Sequence, residues 1–353
     1  VDEPSVGRSR HVVLRAPGVL DVVDLVLPVL DPAWARVRFA YCGVCGTDVS
    51  HYTGRRVVDH PVSLGHEWVA VVEDVGTAVD ALAPGDVVVS DLNFRCGTCD
   101  RCLAGTSHLC RDGQVGRFTN RGFGTRADID ASYLTRCSSP VSPELALAEP
   151  LSCVRHAWQW ARPSASDRVL LIGAGGMGMC LAFLMARAEP VVAFDLTDER
   201  PARLDALAAL VGPLGHAQPS PTSGYDVVFD ASGTESGLRL AVEQVAPGGR
   251  LCLISHLPDG TAATFLLDQL THKDVTFTVS YLNGERSNVE AAVAAIEQHW
   301  DERWSTLLDV RSVDELGEVL DGRADSPAVK TVLALPGSLA GTDRGDPVVE
   351  VGG

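Results

Sequence analysis

From His11 to about Asp130 the apolar positions fall in short runs, at His11 to Leu14, Ala35 to Tyr41, Trp68 to Val75 and Asp86 to Val89, separated by Gly, Pro and Asp. Runs of this length between turn residues predict strands, and so a β-rich first part of the chain. After Pro143 the spacing of Leu145, Ala146, Leu147, Leu151, Val154 and Ala157 becomes helical and ends near Arg162-Pro163, where proline stops a helix. From Arg168 strand and helix patterns alternate: a strand at Val169 to Ile172, a helix near Met177 to Arg187, then strands at Val191 to Phe194, Asp226 to Asp230, Arg250 to Ser255 and Asp274 to Tyr281. That alternation predicts an α/β unit with a doubly wound parallel sheet. A helix at Val313 to Leu320 and a strand at Thr331 to Leu335 follow, and Gly337 to Gly353 reads as a disordered tail.

With 353 residues, 46% of them hydrophobic, the chain has material for two domains of about 150 residues each. The net charge of −17 is spread without a basic cluster, which repels a phosphate backbone and sets nucleic acid aside as a partner. No apolar run approaches the roughly 20 residues needed to cross a bilayer, so no membrane span is expected. The start, Val1-Asp2-Glu3-Pro4, lacks a basic segment and an apolar signal core, and a cytoplasmic location is the expectation. Lys273 and Lys330 are the only lysines in a chain that otherwise uses arginine.

Gly173-Ala174-Gly175-Gly176-Met177-Gly178 follows an apolar strand and opens a helix, the context in which G-x-G-x-x-G signals a dinucleotide site. Gly173 permits a tight turn, Gly175 lets backbone approach a pyrophosphate, and Gly178 allows helix and strand to pack closely while helix N–H groups face the anion. Asp195 lies twenty residues after Gly175, at the expected end of the next strand. There it would accept hydrogen bonds from the adenosine ribose and repel a 2′-phosphate, favouring NAD over NADP. Arg200 and Arg203 lie just beyond and are candidates to bind a phosphate; otherwise they are solvated helix charges.

Four of the ten cysteines, Cys96, Cys99, Cys102 and Cys110, follow C-x2-C-x2-C-x7-C. Four thiolates so close in sequence can enclose one tetrahedral zinc without an open position, which makes a structural site. Cys45 in Cys45-Gly46-Thr47-Asp48 and His66 in Gly65-His66-Glu67 offer a thiolate and an imidazole of the kind that hold zinc with a position left free. Taken singly they prove nothing, since packed cysteines and core histidines are commoner than ligands. Glu149, in Glu149-Pro150-Leu151, is a candidate third ligand, and Glu67, next to His66, competes with it.

In this order, Cys45-Gly46-Thr47-Asp48, Gly65-His66-Glu67, the four-cysteine lobe, Glu149-Pro150-Leu151, Gly173 to Gly178 and Asp195, the chain resembles the zinc-containing medium-chain dehydrogenases from about His11 to Leu335. The resemblance implies a GroES-like catalytic domain over 1–155 and 300–353, a Rossmann NAD-binding domain over 156–299, one catalytic and one structural zinc, and a homodimer or homotetramer joined around Asp274 to Tyr281. A Glu in the Glu-Pro-Leu segment is similar to the sorbitol and polyol branch. The stretch Cys45 to Gly54, with Ser50, Tyr52 and Gly54, is also similar to bacterial dehydrogenases of deoxy-inosamine cyclitols in aminoglycoside antibiotic pathways. Two departures from the family pattern, Ala70 in place of a glycine and Gly122-Phe123-Gly124-Thr125-Arg126 in place of Gly-Phe-Ala-Glu-Tyr, leave the ligands intact and bear on the pocket. Cys42 adds a second C-x-x-C with Cys45 and is read as a packed neighbour.

The implied activity is hydride transfer between NAD(H) and a secondary alcohol of a polyol, sugar or aminocyclitol, with zinc as Lewis acid. The resemblance gives Thr47 the first place in a proton relay. His51 is a candidate to complete it, or else a surface histidine, and Asp48 is expected to orient His66 or another ligand. Ser50, Tyr52, Trp68 and Asn93 are candidates for the substrate pocket by position. A primary-alcohol or aldehyde reductase on the same fold is the enzymatic alternative, against which Glu149 argues. A non-catalytic nucleotide-binding relic is the other, against which an intact Cys45, His66 and Glu149 argue.

Overall fold

Pro17-Gly18 turns the chain between two antiparallel strands, β1 (Gly7–Ala16) and β2 (Val19–Leu27), with Gly18 at φ 76°, a region glycine enters without strain. In the computed structural model, residues 7–113, 121–187, 192–212, 224–257, 267–322 and 328–335 are described. The tail from Gly337 to Gly353 lies outside these residues. The first part continues through β3 (Trp34–Gly43), α1 (Gly46–Tyr52), β4 (Val62–Ser63), β5 (Glu67–Val75), β6 (Val87–Ser90), α2 (Asp100–Leu103), β7 (Arg126–Asp130) and β8 (Leu134–Cys137). β4 extends the β1–β2 sheet, whereas β3 pairs antiparallel with both β5 and β7. Phe39, Trp68, Phe123 and Ile129 fill the core beneath, and the Trp68 ring meets Phe39 edge-on at 5.0 Å.

α3 (Ala148–Ala161) leads into the second part, built from β9 (Val169–Ile172), α4 (Gly176–Arg187), β10 (Phe194–Thr197), α5 (Pro201–Val211), β11 (Tyr225–Asp230), α6 (Glu235–Gln244), β12 (Val245–Leu253), α7 (Leu267–His272), β13 (Thr276–Val279) and α8 (Arg286–His299). Its five strands are parallel in the order β10-β9-β11-β12-β13. Connections leave β9 toward β10 on one side and reach β11 on the other, so a crevice opens at the carboxyl ends of β9 and β11, where such sheets bind ligands. α9 (Glu302–Ser305), β14 (Leu308–Ser312), α10 (Leu316–Leu320) and β15 (Lys330–Ala334) then return the chain to the first part. There β15 pairs antiparallel with β3 through Val332↔Gly43, Leu333↔Cys42 and Ala334↔Tyr41, completing a seven-stranded sheet.

Several strands differ from expectation, β4, β7, β8 and β14 being further strands beyond those expected. The apolar run at Val191 to Phe194 predicts a strand there; Val191 lies outside the described residues, Val192 and Ala193 are not in the sheet, and β10 starts at Phe194, which pairs with Val169, and runs to Thr197. Parallel register is fixed by hydrogen bonding at the glycine turn, where Gly173 N donates to Thr197 O at 2.8 Å, and hydrophobicity alone does not locate it. β2 also falls outside the expected strands, because it turns Val19, Val22 and Val26 toward solvent and so lacks the polar outer face that marks a half-buried strand.

His11 is buried in β1, its Nε2 2.8 Å from Ser9 Oγ, and faces Gly124, where a Cβ would lie 2.3 Å from His11 Nδ1. Burial, reinforced by the charge of Arg121, lowers its pKa from 6.5 to about 4. The folded state thus favours the neutral ring. Its contribution is complete above the unfolded pKa near 6.5 and is lost as the pH falls toward about 4. Urea unfolding is expected to show a loss of about 3 kcal/mol from this group across that window. The loss should be much smaller in His11→Gln.

Candidate metal centre and dinucleotide cleft

Cys45 is the N-cap of α1, and the carboxylate of Asp48 in the first turn folds back to accept Cys45 N–H at 2.9 Å. The other oxygen of Asp48 accepts Gly65 N–H at 3.0 Å and lies 3.9 Å from His66 Nδ1. One buried carboxylate therefore ties the thiol-bearing turn to the loop that carries the imidazole. Gly65 is needed in that loop: at φ 84° it stands so close to Phe123 and Cys42 that a Cβ would lie 2.9 Å from Phe123 N and 3.0 Å from Cys42 Sγ. Cys42 is accordingly a packing group, fully buried against the glycines.

Ligand atoms of Cys45, His66 and Glu67 lie within 4.8 Å of one another. A thiolate, an imidazole and a carboxylate that converge in this way fit zinc with one position left for substrate. Burial disfavours charge on His66, but Cys45, Asp48 and Glu149 outweigh it and raise its pKa. Glu149, in the first turn of α3, is 6% exposed, and burial pushes its carboxyl up to about 7 although His66 pulls the other way. Its Oε1 accepts the Cys153 thiol at 3.4 Å. Glu149 thus borders the converging atoms without being one of the three.

Lys330 is the residue that sequence reasoning missed. Its Nζ lies 2.5 Å from Glu67 Oε2 and donates to Val44 O at 2.9 Å. Burial lowers and the Glu67 charge raises its pKa, with a raised value as the outcome. Gly43 makes room for the pair, since a Cβ there would be 2.2 Å from Glu67 Oε2. The available signal was its rarity, as one of two lysines in the chain.

On the other side of Lys330 lies the glycine turn. A Cβ on Gly176 would meet Lys330 Cδ at 3.2 Å, and one on Gly175 would approach Arg200 Nη2 at 3.9 Å and Arg203 Nη1 at 4.0 Å. Gly173, at φ 102°, lies against Ala231, and a Cβ on Gly178 would strike Gly173 O at 1.8 Å. The turn is thus as tight as its glycines require, opens the α4 N-terminus with Gly176 and Met177, and is flanked by three cations, a setting suited to a pyrophosphate. The acid at the turn is Asp198, whose Oδ2 accepts Ala174 N–H at 2.6 Å and whose Oδ1 accepts Arg200 N–H at 2.7 Å. Asp195, expected there, is instead the second residue of β10 and accepts the Tyr225 hydroxyl at 2.7 Å. The three-residue displacement of β10 is the cause.

Sulfur atoms of the four-cysteine lobe lie 4.0 Å (Cys96–Cys102), 3.6 Å (Cys99–Cys102), 3.8 Å (Cys99–Cys110) and 3.5 Å (Cys96–Cys110) apart. A tetrahedron of sulfurs about 2.3 Å from a central zinc has edges of about 3.8 Å, whereas a disulfide needs about 2.05 Å. Backbone N–H groups of Arg111 and Cys102 bring the Cys99 thiol down to about 6. The lobe docks on the second part of the chain, where Glu285 accepts Ser107 N–H at 2.9 Å and the Ser107 hydroxyl at 2.7 Å, and Arg95 donates to Gly284 O at 2.9 Å.

The remaining candidates are dispersed. Thr47 and His51 stand one turn apart on α1, both half-buried, and burial followed by the Arg56 charge lowers the His51 pKa. Tyr52 and Trp68 are packing groups: Tyr52 is buried and donates to Asp321 at 2.9 Å, and Trp68 is core. Asn93 is buried and hydrogen-bonds Asn283 across the two parts of the chain.

Residues 31–137 match the alcohol dehydrogenase GroES-like domain. The chain is 30% identical over 257 residues to L-idonate 5-dehydrogenase of Vitis vinifera, covering 67% of this chain and 70% of that protein. It is 31% identical over 268 residues to L-threonine 3-dehydrogenase of Anaeromyxobacter sp. strain Fw109-5, covering 69% and 76%. Galactitol-1-phosphate dehydrogenase from Escherichia coli shares the fold, with a TM-score of 0.80 over 92% of this chain and 100% of that one at 22% identity. The chain belongs to the zinc-containing medium-chain alcohol dehydrogenase family, and it is an oxidoreductase.

Replacing Cys102 by Ser breaks the sulfur tetrahedron at one vertex. The variant is expected to lose about one equivalent of zinc and to expose its three partner thiols to a thiol reagent, as read by metal analysis and thiol titration.

Proposed function

We propose that this protein is an NAD-linked dehydrogenase of a secondary alcohol on a polyol, sugar or aminocyclitol, with a catalytic zinc held by Cys45, His66 and Glu67 and a structural zinc held by Cys96, Cys99, Cys102 and Cys110. The observation that carries the reading is the convergence of those three unlike donors within 4.8 Å, with the lysine that pairs with one of them also touching the glycine turn. Idonate at its fifth carbon and threonine at its third both present a secondary carbinol, the feature these relatives' substrates share. The acid at the turn, Asp198, favours the free ribose hydroxyls of NAD over a 2′-phosphate. The catalytic domain comprises 1–155 and 300–353 and the cofactor domain 156–299, a division supported by the return of β15 to β3.

The bound cofactors supply a Lewis acid at the substrate hydroxyl oxygen and an acceptor for the hydride on its carbon. The chain's own residues manage the proton. Thr47 stands at the start of α1 beside Cys45 and takes the hydroxyl proton through its own hydroxyl. His51, on the same helical face and kept neutral near pH 7 by burial, accepts the proton and passes it to solvent. Asp48 holds Cys45 and Gly65 in place, and Glu149 lies within electrostatic reach of His66 and Glu67. Lys330 neutralises Glu67 and holds it toward the other donors. Gly173, Gly175, Gly176, Met177 and Gly178, with Arg200, form the pyrophosphate seat.

NADH formation across a panel of polyols, sugars and aminocyclitols, with zinc content on the same samples, tests this. Wild type should turn over one class of panel member with about two zincs per chain. Cys45→Ser and Glu67→Gln should each lose the catalytic zinc and turnover together, whereas Glu149→Gln should keep zinc and lose rate. Loss of zinc in Glu149→Gln but not in Glu67→Gln would overturn the assigned ligand set.

The protein is further proposed to be a homodimer through β13, the last strand of its sheet, on which Phe277 is 39% and Val279 59% exposed. An exposed apolar strand at the end of a sheet invites pairing with another chain. Light scattering should find a dimer for wild type and a monomer for Val279→Lys.

A further inference from the structure

Away from the metal centre and the glycine turn, α3, α4 and α8 enclose a pocket of about 440 Å³. Its origin is a mismatch of side-chain size. α8 presents Ala291, Ala294 and Ala295 at helical spacing, whereas α3 and α4 present Trp158 and Phe183, and the space facing the small alanines is left unfilled. Phe183 is fully buried and Trp158 half-buried, which gives the cavity an aromatic wall.

Two guanidinium groups reach the same space, Arg155 from α3 and Arg187 from the last turn of α4. Arg155 makes no hydrogen bond or ion pair with any described residue, and its Nε is buried without an acceptor. The Nε of Arg187 is buried without an acceptor as well. Its ion pair, from Nη2 to Asp301 at 3.5 Å, is shared, because Asp301 already caps α9 through Arg303 N–H at 3.0 Å and pairs with the Arg303 guanidinium at 2.8 Å. Burying donors without acceptors is costly. In a chain of net charge −17 carboxylates are plentiful, yet no described one answers Arg155.

We propose that this pocket binds a small organic phosphate, whose oxygens accept from Arg155 and Arg187 and whose carbon skeleton lies against Trp158 and Phe183. Paired guanidinium forks match a phosphate dianion in both geometry and charge, and the volume lies in the range of small-molecule sites. The site is separate from the cofactor seat, since Arg187 is eleven residues beyond Gly176 on α4, about 16 Å along the helix axis. Arg155 and Glu149 share α3, about 9 Å apart along its axis.

The test uses the full-length, zinc-loaded protein saturated with NADH, so that the cofactor seat is already filled. Phenyl phosphate, inorganic phosphate and benzoate are titrated separately by calorimetry. Phenyl phosphate is expected to bind more tightly than the other two, and Arg155→Gln to weaken it by about tenfold with NADH affinity unchanged. In the wild-type protein, phenylglyoxal labelling of Arg155, mapped by peptide mass spectrometry, should be slowed by phenyl phosphate, a readout that does not depend on how the variant folds. The proposal is overturned by any of three results: no binding of phenyl phosphate, benzoate binding equally well, or Arg155 labelled at the same rate with and without phenyl phosphate.

Discussion

Lys330 is a buried ammonium 2.5 Å from the buried carboxylate of Glu67, and much of the site depends on that pair. Neither charge is tolerable alone in the interior, so each residue fixes the other, and removing one partner of such a pair is strongly destabilising. Because Glu67 neighbours His66 and Lys330 begins β15, the pair fastens the strand that returns from the second part of the chain to the segment that carries His66. Gly43 and Gly176 surround it as bare backbone, and a side chain at Gly43 would displace it.

From this contact outward, the two chemical centres are held in one frame. The β3–β15 pairing places Lys330 between Glu67 and the glycine turn, so a bound pyrophosphate and a bound metal would share one cation. Asp48 performs the corresponding service on the other side by joining Cys45 N–H to Gly65 N–H. The cysteine lobe braces the arrangement from outside through Ser107–Glu285 and Arg95–Gly284. Rigid elements thus carry the reacting groups, and the supporting hydrogen bonds set their orientation.

Membership of a dehydrogenase family and the presence of a pocket remote from its chemistry are separate facts of the same scaffold. α3 carries both Glu149 and Arg155, and α4 carries both the glycine turn and Arg187. The alanine face of α8 is the element that makes room at the far end, and larger residues there would close the space without touching the metal donors.

The sequence by itself determined the parts whose meaning is local. Cys96, Cys99, Cys102 and Cys110 are legible because a zinc knot needs its ligands a few residues apart, and Gly173 to Gly178 because a strand, a turn and a helix follow one another directly. Cys45 and His66 stand out only through the order of motifs along the chain, which left Glu67 and Glu149 as competitors for the third position. Tertiary structure decided what depends on contacts between distant segments. It placed Glu67 among the converging donors with Lys330 against it, 263 residues away in the chain. It put Asp198 rather than Asp195 at the glycine turn, because strand register follows from hydrogen bonding to β9 and not from hydrophobicity. It also buried Trp68 on β5 and Tyr52 at the end of α1 in packing roles, since which face of a strand or a helix is covered is set by neighbours distant in the chain. Spacing reports neighbours along the chain, and charge pairing, register and burial are properties of neighbours in space.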